Sequence, residues 1–419
     1  MTATDIATLR IENLGARGDG LAPWRGATVY VDGALPGELI EAHVTGRRGD
    51  GYAATTDKVI EPSPERRPTP CPQAATCGGC AVQHTSDNLY RRWKQGLLTE
   101  ALGRRGLDDA VVEDLAVAPP ASRRRARLGT KHKAKQSILG FRARHSHRVV
   151  PIDGCLVLTP RLMQAMERLK PSLLDLGVQE LELTESDTGV DVVMHGGALP
   201  GLGGLQRITE AAHDGDLARV VWRQRNSVTP ILSRRDPCLT FGKTTVDLPP
   251  GAFVQPTLWG EERLADHVAA CVAGADHVAD LYAGLGTFGL RLAERHRVTA
   301  VEGVTAMADA MVQAANRSGL AGRITAERRD LARAPLSAAE LDRFDAVVFD
   351  PPRQGAREQS QQLAASRVPC VVAVSCHPGS FSRDARILVD GGYRLDTIWP
   401  VDQFLWSHHL ELVGVFRRG

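Results

Sequence analysis

The stretch Ala279-Asp280-Leu281-Tyr282-Ala283-Gly284-Leu285-Gly286-Thr287-Phe288-Gly289 closes a strand-like run, Val278 to Tyr282, and leads into a helix-like one. Glycines at 284 and 286 let the backbone come close to a ligand at the carboxyl end of that strand, where open α/β sheets bind nucleotides. Glu302 follows the run Val298 to Val301, 18 residues after Gly284. That is near the spacing of about 20 at which a carboxylate accepts from a ribose hydroxyl. Further strand-like runs, Ala346 to Phe349 and Val371 to Ser375, alternate with helix-like segments. Alternation of this kind predicts a doubly wound, Rossmann-like α/β domain over residues 241–419.

Counting Gly289, the loop reads G-x-G-x-x-G, so a nicotinamide dinucleotide is one candidate ligand. Its Asp, Tyr and Gly content looks more like the S-adenosylmethionine loop of class I methyltransferases. A plain tight turn is the bland alternative.

Working outward, residues 1–62 carry short apolar runs, such as Ala27 to Val31 and Leu39 to Val44, between Gly- and Asp-rich turns. They predict a small β-barrel of the oligonucleotide-binding kind. Six Lys and Arg against nine Asp and Glu leave a structural and an RNA-binding role equally open. Residues 61–72, EPSPERRPTPCP, hold five prolines and read as a linker. The central α+β domain is taken as residues 63–240. Its segment 88–118 is assignable either there or to the catalytic domain.

The whole chain has 419 residues, 43% hydrophobic and 24% charged, with a net charge of +2. These are globular values that exclude a disordered or fibrous chain. There is no run of 18 apolar residues, and MTATDIATLRIENLG lacks the apolar core of a secretion signal. A cytoplasmic protein with no membrane partner is expected, and its eight Cys should be reduced thiols. Cys71, Cys77 and Cys80 form C-x5-C-x2-C, and Cys155 in VPIDGC is a candidate fourth ligand. Four thiolates suit either tetrahedral zinc or an iron–sulfur cluster, and His84 could replace one Cys around zinc. Between Asp114 and Asp153 there is no acidic residue. Arg123, Arg124, Arg125, Arg127, Lys131, Lys133, Lys135, Arg142, Arg144 and Arg148 lie in that window, with His132, His145 and His147. With no carboxylate nearby in sequence to balance them, these cations point to nucleic acid.

Three motifs suggest chemistry. In DAVVFDPPR, the prolines after Asp350 fix a rigid turn that holds its carboxylate toward a cleft. In Val374-Ser375-Cys376-His377-Pro378, Cys376 ends a strand and precedes a helix whose N-terminus would favour the thiolate. In His408-His409-Leu410-Glu411, Glu411 is a candidate base just before the last apolar strand. Each taken alone has a bland reading: a turn, a buried thiol, a surface Glu.

Taken together, these residues resemble the RNA (uracil-5)-methyltransferases over essentially the whole length, most closely the branch that modifies 23S ribosomal RNA. The resemblance implies a TRAM domain at residues 1–62 and a [4Fe-4S] cluster on Cys71, Cys77, Cys80 and Cys155. It implies S-adenosylmethionine contacts at Gln255 of GAFVQPT, Tyr282, Gly284, Gly286, Thr287 and Glu302, with Asp330 of ERRDL near the adenine. Asp350 would lie between cofactor and target base, Cys376 would be the nucleophile and Glu411 the proton acceptor. The expected reaction is C5 methylation of a uridine, in 23S rRNA or alternatively tRNA, by a monomer. A non-catalytic RNA-binding factor and an NAD-dependent redox enzyme are the competing classes. Three departures stand out. Ala283 replaces the Cys of DLYCG, Thr257 replaces the amide of FxQxN, and the DMFP segment reads Asp402-Gln403-Phe404-Leu405-Trp406.

Overall fold

The computed structural model describes residues 5–133, 136–144, 146–225 and 227–418; Lys135 and His145 of the basic window lie outside them. The chain forms two compact units drawn from non-contiguous segments.

The first unit comprises residues 1–97, 141–152 and 404–408. Its sheet runs Ile6–Arg10, Leu39–Arg48, Gly51–Glu61, Ala27–Asp32, Gly20–Trp24, Asn13–Leu14. The first and last strands belong to one continuous segment. Ile11 N–H donates to Glu38 O on one side and Glu12 N–H to Leu21 O on the other, so the segment closes the sheet on itself. Closure leaves no edge to template aggregation. Leu9, Ile11, Val29, Val31, Ile40 and Ala42 fill the interior at alternate positions. Buried Glu38 caps Leu35 and binds Arg66 through both oxygens.

The second unit comprises residues 98–140, 153–403 and 409–419. One of its sheets includes Arg125–Lys133, Val178–Ser186, Gly189–Gly196, Leu217–Gln224 and Ser227–Ser233 as neighbours. The Gly189–Gly196 and Leu217–Gln224 pair is parallel, and the helix Leu202–Asp214 makes the crossover.

The other large sheet has nine strands. Its path is Ile324–Arg328, Arg297–Glu302, His277–Leu281, Ala346–Phe349, Cys370–Ser375, Glu411–Arg418, Tyr393–Asp402, Val111–Val112. The first five are parallel and Glu411–Arg418 runs against its neighbours. Side chains alternate between two cores. Val278, Val348 and Val372 enter one; Ala279, Val347 and Val371 enter the other. Strand order reverses between His277–Leu281 and Ala346–Phe349, which opens a crevice at their carboxyl ends. The segment left open in the sequence reading has a place here. Val111–Val112 and Ala116–Val117 pair with Tyr393–Asp402, and Leu98, Leu102, Leu107 and Leu115 join the second core.

The basic window departs from its sequence reading. Carboxylates distant in sequence balance four of its arginines: Arg124 with Glu261, Arg125 with Glu182 at 3.7 Å, Arg127 with Glu180, and Arg144 with Asp32. Local sequence could not show this, because each partner lies on another strand or helix. Among the described residues no helix is long and apolar enough to cross a membrane.

Candidate active site

Strand register brings the reactive residues to one edge of the nine-stranded sheet. Leu281 pairs with Val301 and with Phe349, and Phe349 pairs with Ala373. Tyr282, Glu302 and Asp350 therefore leave adjacent parallel strands at their carboxyl ends. Ser375 pairs with Leu412 in the antiparallel direction. Continuing that register by one residue sets Cys376 opposite Glu411. A strand that begins at the edge where its neighbours end delivers Glu411 to the same crevice.

The Gly-rich loop is shaped for close approach. Tyr282, Gly284 and Gly286 all have positive φ, at 60°, 58° and 87°. A Cβ at Gly286 would stand 2.8 Å from Leu290 and 2.9 Å from Met311, so only glycine fits there. Glu302 accepts from Gly284 N–H at 2.8 Å and Val304 N–H at 2.7 Å, which ties the loop to the next strand. Asp280 is fully buried and accepts from Gly289 N–H at 2.8 Å. Among the described residues its second oxygen has no partner, an orphan acceptor beside the loop. Burial, then the charges of Asp350 and Glu302, push Asp280 up to about 8. Thr287 is half-buried in the same turn. Asp330 is exposed; it caps its own turn at Ala332 N–H and pairs with Arg333 at 3.4 Å, and its backbone passes beside Gly303.

On the other side of the crevice, Cys376 is half-buried just before the helix Pro378–Asp390. His377 caps that helix by accepting from Ser380 N–H at 3.1 Å. The sequence reading expected the helix N-terminus to favour a thiolate. The structure reverses that expectation: burial and the charges of Glu411 and Asp350 push the thiol up to about 12, with Arg353 opposing. Glu411 itself is buried, not the surface residue that its position alone suggested. Burial also pushes Asp350 up to about 7. The loop after Asp350 is fastened by Asp384, which accepts from Ala356 N–H at 2.8 Å. Arg353 lies 3.2 Å from a ring nitrogen of His409.

Gln255 donates to Asp350 at 3.2 Å and accepts from Gln403 at 2.9 Å. Gln403 in turn accepts from the hydroxyl of Thr257, which caps the helix Leu258–Cys271. Arg124, read from sequence as RNA-facing, is buried here. It donates to Gln255 O at 3.1 Å and pairs with Glu261, which Arg291 also reaches at 3.0 Å. Glu261 and Arg291 carry no local signal in the sequence, whereas Arg124 stands out there only as one of a run of cations and Gln403 only as a departure from DMFP. Phe253, two residues before Gln255, is exposed with Arg125 5.3 Å over its ring.

In the first unit, Cys71, Cys77 and Cys80 are half-buried on a loop turned by Ala74 N–H to Cys71 O and Cys77 N–H to Gln73 O. Gly78 abuts Arg142 O, where a Cβ would come within 2.7 Å, and Gly79 N–H points at Cys77 Sγ at 3.4 Å. Amide donors to a sulfur suit a thiolate ligand. Cys155 is half-buried in the second unit. Among the described residues, the group with ligand atoms close enough for a single ion is Glu180, Glu182 and His195. Both carboxylates there are already engaged by Arg127 and Arg125, which speaks against a cation.

A doubly wound sheet with a Gly-rich loop after its first strand and an acidic residue ending the second is the framework of a class I methyltransferase. Comparison narrows the class. The family model described as tRNA (Uracil-5-)-methyltransferase matches residues 243–418. An RNA methyltransferase of Caulobacter vibrioides is 40% identical over 98% of this chain and 99% of its own. The 23S rRNA (uracil(1939)-C(5))-methyltransferase RlmD of Chromohalobacter salexigens is 37% identical over 100% of this chain and 91% of its own. The crystal structure of Pyrococcus abyssi tRNA (uracil-54, C5)-methyltransferase with S-adenosyl-L-homocysteine superposes with a TM-score of 0.74 at 23% identity. It covers 98% of this chain and 100% of that one, and shows a shared fold. The chain belongs to the S-adenosylmethionine-dependent RNA (uracil-5)-methyltransferase family.

Proposed function

We propose that the protein methylates C5 of a uridine in structured RNA, in the first instance 23S rRNA, with Cys376 as covalent nucleophile. The observation that carries this reading is the register that gathers Cys376, Glu411 and Asp350 at one end of the crevice, with Glu302 and the Gly-rich loop at the other. S-adenosylmethionine supplies a sulfonium methyl group and would be held by Gln255, Tyr282, Gly284, Gly286, Thr287, Glu302 and Asp330, with Asp350 between it and the base.

Uracil C5 is a poor nucleophile. The thiolate of Cys376 adds to C6, the electron pair displaced toward C5 attacks the methyl group, and the methyl–sulfonium bond would break with its electrons left on sulfur, so that neutral S-adenosylhomocysteine departs. Glu411 then takes the C5 proton, and the electrons of that C–H bond expel Cys376 from C6. Asp350 orients the polar edge of the ring. Burial and the charges of Glu411 and Asp350 hold the thiol toward S–H. A positive sulfonium brought among Asp280, Glu302, Asp350 and Glu411 offsets their charge and lowers the thiol again.

The same reading assigns the closed sheet of the first unit as a TRAM module and Cys71, Cys77, Cys80 and Cys155 as [4Fe-4S] ligands, in a monomeric cytoplasmic enzyme. Residues 1–62, 63–240 and 241–419 are the module, the cluster-bearing part and the catalytic part, with residues 98–118 joining the last. Protein purified without oxygen should contain four irons and four sulfides per chain, and one zinc with no iron would overturn the assignment.

Labelled S-adenosylmethionine, unmodified 23S rRNA and unmodified tRNA test the reaction in separate arms. 5-Methyluridine in digested rRNA is the expected product. The family model and the archaeal structure both carry tRNA in their descriptions, so 5-methyluridine in tRNA alone would keep the chemistry and move the substrate. No methyl group in either arm would overturn the reading.

A further inference from the structure

We propose that Gln403, locked by Thr257, is a positioning residue that fixes which end of the Gln255 amide faces Asp350. The inference rests on the proposed reaction only for its catalytic consequence, since the geometry stands by itself.

The direction of every hydrogen bond in this chain follows from one group that cannot accept. The backbone N–H of Thr257 lies 3.3 Å from Gln403 Oε1 and can only donate. The Thr257 hydroxyl already accepts from Gly260 N–H at 2.9 Å, which leaves its own hydrogen for the same Gln403 oxygen at 3.2 Å. The other end of Gln403 must then be its NH2, and it donates to Gln255 Oε1 at 2.9 Å. Gln255 is left with its NH2 toward Asp350 Oδ2, 3.2 Å away. Asp350 is therefore required as an acceptor. Gln403 is 2% exposed and Gln255 4%, so water does not offer either amide an alternative. Arg124 secures the backbone of the segment, with Nε on Gln255 O and its N–H on Pro256 O at 2.8 Å. A Cβ at Gly260 would come within 2.2 Å of Gln403, so the helix gives way to this one side chain.

Thr257 and Gln403, one departure each from the family's FxQxN and DMFP motifs, are thus bonded to each other. Their joint effect falls on Asp350. Burial pushes Asp350 up to about 7; around it, Asp280 lies on the adjoining strand and Glu302 on the one beyond, Cys376 and Glu411 lie across the crevice, and Arg353 is in its own loop. The fixed N–H of Gln255 is the polar contact that favours the ionised carboxylate in a buried place.

The test is a stability cycle that needs neither RNA nor activity. In Gln403→Glu, two carboxylates flank Gln255, and the relay can be complete only if one of them holds a proton. The variant should melt within about 2 °C of the wild type at pH 5.5 and about 5 °C below it at pH 8. The sign follows from a proton bound in the folded state and released as pH rises. In Gln403→Glu with Asp350→Asn, the relay can run in reverse with no proton, because the second substitution puts an amide donor opposite Gln255. The pH-dependent loss should disappear in that pair. Gln403→Met, which neither donates nor accepts, should show a loss that pH does not change. A pH-dependent loss persisting in the double variant would overturn the proposal, because burial of a new acid alone predicts that. Methyl transfer by the wild type, measured alongside, separates the two readings. Activity with an additive cycle sinks the relay alone, and a coupled cycle in an inactive wild type sinks the reaction alone.

Discussion

Cys376→Ala should lower methyl transfer by about 10⁴-fold or more, while binding of RNA and S-adenosylmethionine and the melting temperature stay near wild type. The size of the loss follows from the chemistry: without addition at C6, C5 has no electron pair to offer the methyl group. Full activity in the variant would sink the covalent mechanism. The site geometry adds a sharper expectation about the wild-type thiol. Burial and the charges of Glu411 and Asp350 hold this thiol strongly toward S–H. The half-buried Cys376 should then resist iodoacetamide, as followed on its own peptide by mass spectrometry. S-adenosylmethionine should speed the alkylation, and S-adenosylhomocysteine, which has no sulfonium charge, should not. Equal rates with the two would mean that cofactor charge does not switch the nucleophile on.

The sequence made some of this site readable for a physical reason. A tight backbone turn such as the one at Gly284 and Gly286 announces itself locally, because positive φ at a position favours glycine there. A candidate nucleophile at the end of a buried apolar strand, such as Cys376 after Cys370–Ser375, is equally visible. Arg124 was misread because its partners are 131 and 137 residues away, at Gln255 and Glu261. Gln403 registered only as a departure from a motif, and its bond to Gln255 spans 148 residues. The acidity of Cys376 was also beyond local reading. The helix N-terminus was visible in the sequence, but the opposing carboxylates arrive on two other strands.

Glu411→Gln should stop the reaction after the methyl group has moved, lowering kcat by about 10²- to 10⁴-fold. Glutamine keeps the size and hydrogen-bonding capacity of the side chain but cannot take a proton from C5. The earlier steps should not slow. Glu411 is one of two carboxylates that raise the Cys376 thiol, so removing its charge makes the thiolate easier to form. The expected result is a burst of one methyl group per enzyme, followed by an RNA–protein adduct that survives denaturing electrophoresis. Adding Cys376→Ala to the same chain should abolish both adduct and burst. Normal turnover in Glu411→Gln would remove Glu411 as the base. An adduct without a transferred methyl group would instead place Glu411 before the methyl step, and the buried position opposite Cys376 would then serve the addition at C6 rather than the elimination that releases product.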